Sequence, residues 1–330
     1  MTKILAIDGG GIRGIIPATV LAEIEKSTHK PIAQLFDVIA GTSTGGILGC
    51  GLSVPDAHGN PKLSASALVD LYLQEGHRIF PHRVFERVTE YLHEKYPASG
   101  IEHVLHKYLG ESSLSESLTE LLITAYDIER RKPKFFRTKD AQRDPTKDHP
   151  LWMVARATSA APTYFEPFKL PGSTPDDYEA LVDGGVFANN PAMCAYVDGS
   201  PGPGQVRRQD VVLVSLGTGA QNRPLMYDRV KDWGQLRWAQ PILDVTFQGI
   251  SATTDYQLEQ ILGEDHYLRL DTELTIASDD MDCASAENLR KLQLQADQLI
   301  ADNARKLDAM CTLLTTPGSR ATPGISPSSA

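Results

Sequence analysis

A serine attacks a carbonyl carbon only when its hydroxyl is held in the open and a neighbouring group takes its proton. The stretch Gly41-Thr-Ser43-Thr-Gly45 meets the first condition. It is a G-x-S-x-G that follows the strand-like run Phe36-Asp-Val-Ile-Ala40 and precedes a helix-like stretch, which is the setting of a nucleophile elbow. Gly41 and Gly45 let the chain turn without side-chain clash, and the next helix aims its positive N-terminus at developing negative charge. The same string also fits a tight turn with a solvated serine. Ahead of it, Gly9-Gly10-Gly11 places three residues without side chains in a row, so backbone N–H groups are able to approach an oxyanion closely. Arg13 adds positive charge there, aimed either at an anionic substrate or at the carbonyls of its own turn.

Two residues compete to be the base. His266, in Gly263-Glu-Asp-His-Tyr-Leu268, is the only histidine beyond His149 and would complete a Ser-His-Asp triad, although a surface histidine in a polar loop looks the same. Asp183 closes the apolar run in Leu181-Val-Asp183-Gly-Gly185 and is followed by flexible residues, but Asp-Gly-Gly also makes an ordinary turn. The glycine loop further spells Gly9-x-Gly11-x-x-Gly14, a dinucleotide pattern that calls for an acid at the end of the second strand. That strand ends in Ala40-Gly41 and its only acid, Asp37, stands near its start. Neither loop carries the Gly-Lys-Ser/Thr of a phosphate-binding Walker loop. No HExxH or paired-cysteine ligand set is present, and His103 with His106 reads as a helix surface.

Something must hold these residues. Lys3-Ile-Leu-Ala-Ile7 is predicted as a buried strand, Asp8 to Gly14 as a turn, and Ile16, Val20, Leu21 and Ile24 recur at helical spacing. The strand–turn–helix pattern repeats at Phe36, and further strands are predicted at Leu121–Tyr126, Lys134–Arg137, Val211–Ser215 and after His266. Such alternation indicates βαβ units and a largely parallel sheet. Asn288 to Met310 is predicted as one amphipathic helix with Leu289, Leu292, Ala296, Leu299 and Leu307 on its apolar face and Ser285 as N-cap. From Thr315 to Ala330 the chain is mostly Pro, Gly, Ser and Thr, too polar to offset the entropy of ordering, and is predicted disordered.

The 330 residues, 41% hydrophobic and 22% charged, are enough for one large globular domain. A net charge of −10 argues against nucleic acid as a partner. Four cysteines without CxxC spacing read as reduced thiols. Strand-like sequence begins at Lys3, leaving no room for a signal sequence before it. The uncharged run Val38 to Pro55 is too rich in glycine for a membrane span. Two mixed basic and aromatic stretches, Gly76–Phe85 and Arg130–Arg137, invite thought of membrane docking, but ordinary helix, loop and strand faces explain them as well.

Together, Asp8-Gly-Gly-Gly-x-Arg-Gly14, Gly41-Thr-Ser-Thr-Gly45, Ala157-Thr-Ser-Ala-Ala-Pro-Thr-Tyr-Phe165, Asp183-Gly-Gly185 with Asn189-Asn-Pro191, and Ser215-Leu-Gly-Thr-Gly219 resemble the patatin-like phospholipases in order and spacing. The resemblance implies an α/β, three-layer αβα fold with a central, largely parallel sheet in one domain over residues 1–314, with 315–330 as a disordered tail. It implies Ser43 as nucleophile and Asp183 as general base without a histidine, Gly9, Gly10, Gly11 and Arg13 at the oxyanion hole, and Gly41, Gly45 and Gly185 as motif glycines. No metal or other cofactor is expected. The implied activity is a lipid acyl hydrolase acting on phospholipids, lysophospholipids or galactolipids of membranes or micelles, in the cytoplasm and peripheral at membranes. Small residues Ala157, Ala160, Ala161 and Cys194 could leave room for an acyl chain or simply pack helices closely. Some bacterial proteins resembling this one are defence phospholipases switched on by a cyclic nucleotide, which would add a small-molecule activator. A catalytically idle storage or interaction protein would not need the dyad and glycine loop that this sequence keeps.

Overall fold

The computed structural model describes residues 1–81, 95–172, 174, 176–199, 210–220, 223–238 and 241–316. The predicted disordered tail lies almost wholly outside these residues, as do the last four positions of the Gly76–Phe85 stretch.

Eight strands form a single sheet: β1 (Thr2–Ile7), β2 (Val38–Gly41), β3 (Glu120–Asp127), β4 (Lys132–Arg137), β5 (Phe168–Pro171), β6 (Tyr178–Asp183), β7 (Val211–Leu216) and β8 (Tyr267–Leu270). Their order is β5-β6-β3-β2-β1-β7-β8, with β4 paired to β3 off this path. The five strands from β3 through β2, β1 and β7 to β8 run parallel, and β4, β5 and β6 are antiparallel additions. The layers follow from strands that are apolar on both sides. In β1, Leu5 and Ile7 face one core while Ile4 and Ala6 face another, and all four are fully buried. A strand covered on both faces reads as a continuous apolar run, and so β1 was legible in the sequence. Helices Ile15–Thr28, Thr44–Ser53, Ala65–Ile79, Leu151–Thr158 and Ala286–Asp302 contribute to the larger core. Helices Ala192–Asp198 and Pro241–Leu262 cover the other face. The result is the three-layer αβα arrangement.

One register detail positions the site. Ile123 in β3 pairs with Gly41 of β2 on one edge and with Phe136 of β4 on the other. Two residues on, Ala125 pairs with Asp183 of β6 while still paired with Lys134 of β4. Because β4 occupies one edge of β3 throughout, β2 and β6 must share the opposite edge, β6 taking over where β2 stops. The end of β2, from which the chain turns into Ser43, therefore abuts the end of β6, which carries Asp183.

The helix predicted from Asn288 to Met310 is two helices, Ala286–Asp302 and Ala304–Thr315, broken at Asn303 with φ −111° and ψ 15°. The Asn303 side chain donates to the Leu299 carbonyl, giving the backbone a local partner that competes with a continuous helix. Ser285 caps the first helix as predicted, its hydroxyl accepting from the Asn288 N–H at 3.2 Å. The basic stretch Arg130–Arg137 lies on β4 and its turn, where Arg130, Lys134 and Arg137 pair with Asp127, Glu179 and Asp140.

Candidate active site

Ser43 sits between β2 and the helix Thr44–Ser53 with φ 56° and ψ −122°, a backbone state that costs a non-glycine residue about 1–3 kcal/mol. Neighbours hold it there. Its N–H donates to Thr158 Oγ1 at 2.9 Å. The preceding Thr42 donates its own N–H to the Ile7 carbonyl, and its hydroxyl bonds the Ala188 carbonyl and Thr124 Oγ1. A Cβ on Gly45 would collide with the Ile7 carbonyl at the end of β1, so this glycine allows the helix to start directly against the sheet.

Asp183 ends β6 with 1% of its surface exposed. Its N–H donates to the Ala160 carbonyl at 3.0 Å, and its Oδ1 accepts the Gly185 N–H at 2.7 Å. Burial pushes its carboxyl up to about 7, against the downward pull of the Ser43 side chain and the Gly185 amide. Desolvation of the charged form outweighs two hydrogen bonds because no opposite charge helps hold the anion. The result is a carboxyl close to half ionised at neutral pH, as a general base requires.

Ser43 and Asp183 line one cavity together with Gly10 and Gly11, walled by Ile47, Ile79, Phe80, Ile101, Phe165 and Phe247. Its volume is about 40 Å³, room for a few waters. Gly11 adopts φ 59°, a left-handed state that glycine reaches without strain. The four expected oxyanion residues divide. Gly10 and Gly11 line the cavity and their N–H groups have no acceptor among the described residues, whereas the Gly9 N–H is engaged by the Asn189 carbonyl at 3.0 Å. Buried Arg13 is also spent: its Nε donates to the Gly10 carbonyl and its Nη1 to those of Gly219 and Asp279. It ties down the loop and lines a different cavity.

That neighbouring cavity, about 330 Å³, shares Asn189, Phe247 and Met281 with the first and is lined by Asp8, Asp244, Asp255, Asp271, Arg13 and Arg269. Arg269 grips both oxygens of Asp8 at 3.0 and 2.7 Å and also bonds Asp271 and Ser215. Asp271 in turn accepts the Gly219 N–H, and Thr218 donates to the Gly9 carbonyl. The glycine loop thus rests on an ionic platform. Burial still lifts Asp8 to about 6, the Arg269 guanidinium opposing it.

His266 lies elsewhere. It precedes β8, and its Nδ1 meets the carbonyl of Val211 at the start of β7, whereas Ser43 follows the end of the parallel β2. A strand's length separates the two. His106 stacks on Trp152, and no metal-binding cluster occurs among the described residues. Of the small residues, only Ala161 lines the cavity; Ala157 and Ala160 are core, and Cys194 packs on the far face of the sheet. The four cysteines are free, Cys50 with its thiol pushed up to about 12 by burial. Sequence reasoning gave no role to Thr158 or Asn189, although both fall inside the motifs that carry the resemblance.

Comparison with known proteins shows the family. The family described as patatin-like phospholipase matches residues 5–196. Patatin-like protein 2 of Arabidopsis thaliana is 34% identical, over 94% of this chain and 86% of its own. Patatin group J-1 of Solanum tuberosum is 32% identical over 91% and 84%, and the probable inactive patatin-3-Kuras 1 of the same plant is 31% identical over 91% and 86%. With the family matching more than half the chain and relatives aligned along nearly all of it, the protein belongs to the patatin-like phospholipases, a membership that suggests lipid acyl hydrolase activity.

Proposed function

We propose that the protein hydrolyses fatty-acyl esters of phospholipids, lysophospholipids or galactolipids through an acyl-serine intermediate, with Ser43 as nucleophile and Asp183 as base. The observation that carries this reading is the shared cavity. A serine on a strained elbow, a buried carboxyl poised at about 7 and two glycines with unpaired backbone amides line the same apolar space. Asp183 takes the Ser43 proton as Oγ adds to the ester carbonyl, and the Gly10 and Gly11 N–H groups receive the negative charge that forms on oxygen. The alkoxy C–O bond then breaks and the proton passes from Asp183 to the departing alcohol. Water adds to the acyl-Ser43 while giving a proton to Asp183, which returns it to Oγ as the fatty acid leaves. Long chains are favoured by an apolar channel at about 0.8 kcal/mol per buried CH₂.

The reading places the enzyme in the cytoplasm and peripheral at membranes; among the described residues no helix is long and apolar enough to cross one. A cyclic-nucleotide activator finds little support in the neighbouring cavity, because four carboxylates face two arginines there that are already bonded, a lining that repels an anion. The test is fatty-acid release from vesicles of phosphatidylcholine, lysophosphatidylcholine and galactolipid, with Ser43→Ala and Asp183→Asn alongside. Loss of at least about a thousandfold in both variants supports the dyad, and release that survives either substitution rejects it.

A further inference from the structure

The helix Pro241–Leu262 carries the cavity-lining Phe247 on its inner side, together with buried Thr254, Leu258 and Leu262. Its outer side is unusual. Ile242, Val245, Gly249 and Tyr256 follow one another along one exposed stripe, with Ala252 at its border with the polar cavity, about 21 Å long at 1.5 Å per residue. Ile242, Val245 and Tyr256 are 47%, 46% and 64% exposed. The helix's first two acids, Asp244 and Asp255, turn away from this stripe to line the polar cavity, so the outward half bears no charge until Glu259. A surface helix ordinarily presents charges to solvent, whereas this apolar stripe is flanked by exposed but uncharged Thr246, Thr253 and Gln257.

The stretch immediately before it, residues 223–238, holds four basic residues against two acidic ones in a chain of net charge −10. Arg229 and Arg237 make no ion pair among the described residues and are exposed. Leu225, Met226 and Tyr227 are exposed beside them, and Trp233 packs edge-on against Trp238. Exposed apolar and aromatic groups with unpaired arginines form the chemistry of a bilayer interface carrying anionic headgroups. We propose that residues 223–238 and the helix from Pro241 to Tyr256 form the surface by which the protein seats on an anionic phospholipid membrane, the helix lying in the interface with its Phe247 side toward the catalytic cavity. The inference rests on the proposed acyl hydrolase only for the purpose of the surface. Apolar contact gives binding to any bilayer, and the arginines add preference for anionic lipid.

Three proteins test it by flotation, each also carrying Ser43→Ala so that vesicles stay intact: the otherwise unchanged chain, a triple variant Ile242→Ser, Val245→Ser, Tyr256→Ser, and a double variant Arg229→Gln, Arg237→Gln. The vesicles are phosphatidylcholine alone and phosphatidylcholine with phosphatidylglycerol. The unchanged chain is expected to bind the anionic vesicles at least about tenfold more tightly, a preference that falls with salt. The triple variant should lose about tenfold on both vesicles and the double variant only the preference. With Ser43 restored, both variants should hydrolyse a soluble butyrate ester within about twofold of the parent, since none of the five residues lines the cavity. Unchanged vesicle binding by both variants, or a dimer in solution that the triple variant splits, would overturn the proposal, the latter by making a second copy the occupant. Vesicle binding without hydrolysis of any ester would remove the proposed catalytic reading and leave the docking face standing.

Discussion

As the proposed base, Asp183 concentrates the chemistry and its consequences in one carboxyl. With a pKa of about 7, its basic form disappears on acidification, so kcat/KM should rise about tenfold per pH unit below neutrality and level off above it; an initial-rate profile on a soluble ester measures this. Stability runs the other way. The folded carboxyl holds a proton that the unfolded chain releases near its ordinary value of 3.8, so stability declines as pH climbs between those two values and the full cost is present above the folded one. Asparagine keeps an oxygen for the Gly185 N–H and carries no charge to desolvate. Asp183→Asn should therefore unfold at a temperature several degrees higher at pH 8, with a gain of roughly 2–4 kcal/mol, and match the parent at pH 4. A variant more stable and inactive is the outcome to expect from scanning calorimetry beside the activity assay; equal stability at pH 8 would mean that the buried carboxyl costs nothing.

At the scale of the elements, the elbow was legible because its glycines are required by backbone contact, not by general flexibility: Gly45 touches the end of β1, and no other residue type fits there. What locks the elbow was not legible. Thr158 belongs to a helix more than a hundred residues away, and its bond to the Ser43 N–H depends on packing that no local spacing encodes. Replacing it with valine, which keeps the shape and removes the acceptor, should cost about 1–3 kcal/mol and lower kcat more than KM, since the strained serine loses its anchor. An unchanged kcat would show that the elbow holds itself. The parallel strands β1, β2, β3 and β7 announced themselves as apolar runs, while β5 alternates buried Phe168 and Leu170 with exposed Lys169 and Pro171 and is too short to declare its period. The division of labour within Gly9-Gly10-Gly11 was equally hidden, because it turns on which amide the Asn189 carbonyl happens to take.

Across the whole molecule, the buried acids Asp8 and Asp183 both sit above their ordinary values while Asp127, bonded to Arg130 and two backbone N–H groups, sits below. The first pair erodes stability as pH rises toward neutrality, and the last loses its contribution as pH falls below its unfolded value. Replacing Asp8 and Asp183 by asparagine should therefore flatten the decline in melting temperature between about pH 4 and 8; a melting series across pH on parent and variant measures this, and parallel curves would mean that these two carboxyls do not set the slope. The fold as a layered parallel sheet could be anticipated from its alternating runs, whereas the register that brings β2 and β6 to one edge of β3 could not, since it emerges only when the strands pair. That shared edge also has a consequence in time. Roughly 140 residues separate Ser43 from Asp183 in the chain, so a ribosome that has released β1 to β4 has delivered the nucleophile in its frame with an empty berth where its partner will dock. On the proposed reading, a growing chain holds the serine without its base until β6 has emerged and paired, a little past the midpoint of the 330 residues.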